Sequence, residues 1–77
     1  MGDRLLWRCR RGMRELDKVV EGYYLLYYKS ASEQTKQAFE SLLDEADPDL
    51  LSWVMGRTVP PNQYSPLIEV MRTLGSR

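Results

Sequence analysis

Punctuation cuts this 77-residue chain into segments that suit short helices. Asp47-Pro48 and Ser65-Pro66 each pair a capping side chain with a proline at the first helical position. Gly12, Gly56 and Gly75 stand where helices stop, because glycine accepts the left-handed conformation of a C-terminal cap. Asp3 is a candidate N-cap for a first helix in which Leu5, Leu6, Cys9 and Met13 recur at helical spacing.

A second helix is expected from about Met13 to Lys29. Leu16, Val19, Val20, Tyr23 and Tyr27 form its apolar stripe, and Leu25 and Tyr28 point away from it. Gly22 weakens that helix by about 1 kcal/mol relative to Ala. It implies either a closely packed neighbour or a bend. Ser32 caps a third helix whose face is Thr35, Phe39, Leu42, Leu43 and Ala46, with Glu33 in the first turn, where the helix dipole favours acids. Asp47 is the expected N-cap of a short fourth helix, Pro48 to Met55, apolar on most sides. After a loop from Arg57 to Tyr64, Leu67, Val70, Met71 and Leu74 line a last helix. No strand pattern occurs. The expected fold is all-α: a single domain over residues 1–77, a bundle of about five short helices joined by connections short enough to make successive helices neighbours.

Composition removes whole classes of function. There is no histidine and one cysteine, so an intrachain disulfide and histidine-based acid–base catalysis are excluded, and the composition argues against a zinc or haem site. A domain this small buries only about 60% of its unfolded surface, which leaves little room for both a core and a catalytic cavity. No apolar run approaches the length of a membrane span, and the arginine-rich opening lacks the apolar segment of a secretory signal. A cytoplasmic, bacterial-type protein is the expectation.

Net charge is zero but unevenly placed. Five of the eleven basic residues (Arg4, Arg8, Arg10, Arg11 and Arg14) fall in the first 14 positions, against Asp3 alone. Positions 40–50 carry Glu40, Asp44, Glu45, Asp47 and Asp49 and no base. This acidic run lacks the ligand spacing and glycine of a calcium loop. The two regions suit differently charged contact faces or pairing with each other inside the fold. Arg4, Trp7, Arg8 and Arg11 share one side of the first helix, opposite Leu5 and Cys9. That stripe is either a solvated face, with Trp7 wrapped on a neighbouring helix, or a docking surface of the composition found at interface hot spots. Around Gly12 a similar choice stays open. Gly12 ends one helix and Glu15 opens the next, where it is placed to pair with Arg11. Alternatively, the glycine seats a partner's backbone between Arg11 and Glu15. Cys9 reads as a small core residue. Among the tyrosines, Tyr23 and Tyr27 are expected in the core, leaving Tyr24 and Tyr28 as candidate contacts. The balanced charge argues against nucleic-acid binding.

Leu5 to Asp17, LLWRCRRGMRELD, resembles the signature of the succinate dehydrogenase assembly and flavinylation factors, whose centre is Arg-Gly-x-x-Glu, here Arg11, Gly12 and Glu15. A second block from Phe39 to Gly56 is similar as well, with its Leu-Leu pair, Asp47-Pro48-Asp49-Leu50 and Trp53. The tyrosine segment and the Pro60-Pro61 loop depart from the pattern. The resemblance implies a non-enzymatic five-helix protein with no catalytic residue, no metal and no stably bound cofactor of its own. It would act as a monomer on the FAD of a partner: the flavoprotein subunit of succinate dehydrogenase, and that of fumarate reductase. Family members promote covalent attachment of FAD to a histidine of that subunit. Arg11, Gly12 and Glu15 carry over as partner-binding residues, and Arg4, Arg8, Met13, Asp49 and Trp53 extend the same face. An antitoxin-type protein-binding module and a small nucleic-acid-binding bundle are the alternatives.

Overall fold

The computed structural model describes residues 4–75, all of whose regular structure is helical. The elements are α1 (Arg4–Arg8), α2 (Arg14–Tyr23), which runs on through a π-helical turn at Tyr24–Tyr28, α3 (Glu33–Leu42), α4 (Asp47–Val54) and α5 (Ser65–Gly75). Asp3, the expected cap of α1, lies outside the described residues.

Helix α2 is the hub and packs on both α4 and α5. Its stripe Leu16, Val19, Val20 and Tyr23 is buried, as are Cys9, Phe39, Leu42, Leu43, Leu50, Tyr64, Leu67, Ile68, Met71 and Leu74. Gly22 marks a close approach. A methyl group there would stand 3.3 Å from Leu74 Cδ1, and one at Gly75 would stand 3.2 Å from Val19 Cγ1. The α2–α5 crossing is therefore built on two glycines.

Four features differ from the sequence reading. Helix α1 stops at Arg8, short of the expected stop at Gly12, so Met13 lies outside it. Met13 is the extended N-cap of α2, at φ −124°, ψ 122°, so that helix starts at Arg14. Ala46, not Asp47, caps α4, because the Asp47 carboxylate is drawn instead to Arg11, with Nε to Oδ1 at 2.7 Å. The expected continuous α-helix to Lys29 widens after Tyr23 into the π turn. That widening changes which tyrosines face inward. Tyr28 packs on Phe39 with ring centroids 5.4 Å apart, and Tyr24 stacks on Tyr28 at 5.1 Å. Tyr27, expected in the core, rests on Tyr23 at 5.6 Å and is 43% exposed. Tyr28 OH donates to Glu40 Oε2 at 2.6 Å. That hydrogen bond, helped by burial and the carboxylate's charge, pushes the phenol up to about 12. Burial raises Tyr23 as well. Ser32 caps α3 as expected, accepting the Thr35 N–H at 3.2 Å. Ala46, expected on the inner face of α3, is exposed.

Tyr64 anchors the loop before α5. It is 1% exposed, and its hydroxyl lies 2.9 Å from Ser41 Oγ and 3.0 Å from Glu45 Oε2. Tyr64→Phe leaves those groups one partner short. It is expected to cost about 1 kcal/mol, read as a lower midpoint in urea unfolding at unchanged slope.

Candidate functional site: the Gly12 corner

The chain between α1 and α2 turns at Gly12, whose φ is +83°. No heavy atom outside its chain neighbours lies within 4 Å of where a Cβ would be. The corner thus faces open space, in a conformation that L side chains avoid. Gly12, Arg14 and Glu15 are exposed, and Met13 is half-buried and packed against the core.

Arg11 does not stand out from this corner. Its side chain is 15% exposed. Besides the bond to Asp47, Nη1 donates to Leu43 O at 2.7 Å and Arg8 O at 3.2 Å, and Nη2 donates to Glu45 O at 3.0 Å. The guanidinium fork therefore closes over the last carbonyls at the α3–α4 junction, the end of a helix that attracts cations. The expected pairing of Arg11 with Glu15 is absent, because the planar fork finds four oxygens elsewhere. The Glu15 side chain has no hydrogen bond or ion pair among the described residues. Arg8 reaches the same junction and pairs with Asp44. Two of the five arginines from the opening thus meet two of the five acids of the run, so the charge asymmetry serves internal pairing in part. The Arg8–Asp44 pair is exposed on both sides and contributes little to stability. The Arg11 cluster is shielded and includes backbone acceptors, so it holds the corner against α3 and α4.

Arg4 and Trp7 remain on the outer side of α1. Trp7 is 72% exposed, not wrapped on a neighbour, and its ring carries the Arg10 guanidinium 5.8 Å from its centroid. Asp49 is exposed in the first turn of α4. Trp53 is core: it is 8% exposed, 5.8 Å from the Tyr64 ring, and its carbonyl accepts from Arg72 Nε and Nη2. The structure therefore brings Arg11 and Arg8 together with the acidic run, leaves Gly12, Glu15, Arg4 and Asp49 at the surface, and sets Trp53 inside. A groove of about 470 Å³ starts at Arg14 and Glu15 and continues past Lys18, Val54, Met55 and Arg72. Sequence reasoning did not reach Asp17 or the Arg11–Asp47 pair. The opposed charge of the two regions was the only signal of that pair.

A family model described as flavinator of succinate dehydrogenase matches residues 3–75. The chain belongs to this family. Among its relatives, the FAD assembly factor SdhE of Haemophilus ducreyi is 43% identical over 67 residues, covering 86% of this chain and 82% of the relative. The protein of the same name from Yersinia pestis is 43% identical over 74 residues, covering 96% and 82%. That of Coxiella burnetii is 35% identical over 74 residues, covering 95% and 90%. No solved structure matches. The matched residues include both Leu5 to Asp17 and Phe39 to Gly56, and the Arg11–Asp47 bond joins the two segments. No described helix is long and apolar enough to cross a membrane.

Proposed function

We propose that this protein binds the flavoprotein subunit of succinate dehydrogenase through the Gly12 corner and promotes covalent attachment of FAD to that subunit. The observation that carries the reading is the corner itself: a positive-φ glycine open to solvent, flanked by exposed Arg14 and Glu15, in a member of the flavinator family. Gly12 lets a partner's backbone approach, and the flanking charges fix its register. The protein supplies position, not chemistry. A partner held in one conformation keeps its histidine and the flavin methyl carbon in reacting geometry. The fumarate reductase flavoprotein is a second partner of the same kind. Phosphate binding is the weaker reading, since Arg8 and Arg11 already have carboxylate partners.

Isothermal titration of the purified chain with the purified flavoprotein subunit tests this: a one-to-one complex is expected, and no association at micromolar concentrations refutes it. DNA binding that falls steeply with salt would support the nucleic-acid alternative instead. Trp7 should anchor the contact. Trp7→Ala is expected to weaken the complex about tenfold or more, as hot-spot tryptophans do. It should shift unfolding by no more than about 0.5 kcal/mol, because the ring is mostly outside the fold. Titration and thermal melting of the same sample separate the two effects.

A further inference from the structure

Asp17 lies outside the Arg-Gly-x-x-Glu motif, in the first turn of α2. Its Oδ1 accepts the backbone N–H of Arg11 at 2.5 Å, and its own N–H donates to Met13 O at 2.8 Å. One residue therefore ties both ends of the Arg11–Gly12–Met13 segment to the start of α2. The Arg11 side chain fastens the same segment to the α3–α4 junction. Gly12, whose Cβ position faces open space, is held through these flanking attachments and the packing of Met13 against the core.

We propose that Asp17 is a positioning residue for partner binding. Its carboxylate sets the shape of the Gly12 corner through the Arg11 amide, without touching the partner. The inference rests on the reading that this corner is the docking surface. The simpler role for Asp17 is charge alone, an acid at the positive end of α2. Glu15 already occupies that turn and would serve such a role equally, yet only Asp17 receives the Arg11 N–H. Asparagine separates the two roles, since it keeps the acceptor oxygen and drops the charge.

The test compares the full chain with Asp17→Asn and Asp17→Ala. It measures affinity for the purified flavoprotein subunit, amide hydrogen exchange at Arg11 by NMR, and melting temperature. Asp17→Ala should lose about tenfold to a hundredfold in affinity, the measure of one charge-assisted hydrogen bond, with a comparable acceleration of Arg11 exchange. Asp17→Asn should stay within about threefold of the parent in both, as a neutral acceptor in the same place allows. Alanine binding like the parent, or asparagine failing as badly as alanine, overturns the proposal. If the parent itself does not bind the flavoprotein, the docking reading falls. The exchange rates then decide whether Asp17 holds the corner: unchanged Arg11 exchange in Asp17→Ala overturns it, and faster exchange upholds it.

Discussion

Gly12→Arg should fold and yet bind the flavoprotein about thirtyfold more weakly or worse, the loss expected when a hot spot is blocked. Two effects act at this position and are separable. Any side chain at φ +83° strains the backbone, at a cost of about 1–2 kcal/mol. Alanine and arginine share that cost, because nothing in the fold obstructs either. Only arginine fills the space that a partner's backbone must enter. Melting curves of Gly12→Ala and Gly12→Arg should therefore nearly coincide, while their affinities diverge. Covalent flavin incorporation should follow the affinities. A folded Gly12→Arg protein that supports normal incorporation would remove the corner from the interface.

Arg11→Ala should show the opposite balance, with stability lost first. Truncation strips the Leu43 and Glu45 carbonyls and the Asp47 carboxylate of a shared donor at the joint between α3 and α4. The Asp47 carboxylate is 32% exposed and regains water, so the cost stays below that of breaking a fully buried pair. About 2–3 kcal/mol is expected, which in a domain this small lowers the melting temperature by about 10–20 °C. Arg11→Lys should regain less than half of that stability, since one ammonium cannot serve acceptors spread across a planar fork. Circular-dichroism melting of the three proteins measures both. An Arg11→Ala protein as stable as the parent, but unable to bind, would make Arg11 a contact residue instead of an internal fastener.

Helix number was legible because many starts and stops rest on local chemistry: Ser32 as a cap, proline after Asp47 and Ser65, glycine at 56. The end of α1 was not, since that helix stops at Arg8 and the chain turns at Gly12 only four residues later. The stripe from Leu16 to Tyr23 was legible for a similar reason, since polar residues separate its apolar ones. The π turn was not. In Tyr23-Tyr24-Leu25-Leu26-Tyr27-Tyr28 every position is apolar or aromatic, so the wider period leaves no trace in the pattern, and packing on Phe39 decides which rings turn inward. Trp53 escaped for the same reason, because α4 is apolar on most sides. Gly12 and Glu15 could be singled out at the site. The role of Arg11 could not, because two of its four acceptors are backbone carbonyls more than thirty residues away, and a carbonyl has no letter in a sequence. The opposed charges of residues 4–14 and 40–50 hinted at the pairing without naming the partners.

Covalent flavin attachment to the partner should depend on this protein. In-gel flavin fluorescence of the succinate dehydrogenase flavoprotein subunit, produced with and without this protein, tests it most directly. A fluorescent band that is strong with the protein and weak or absent without it is the predicted result. Bands of equal intensity would contradict the account.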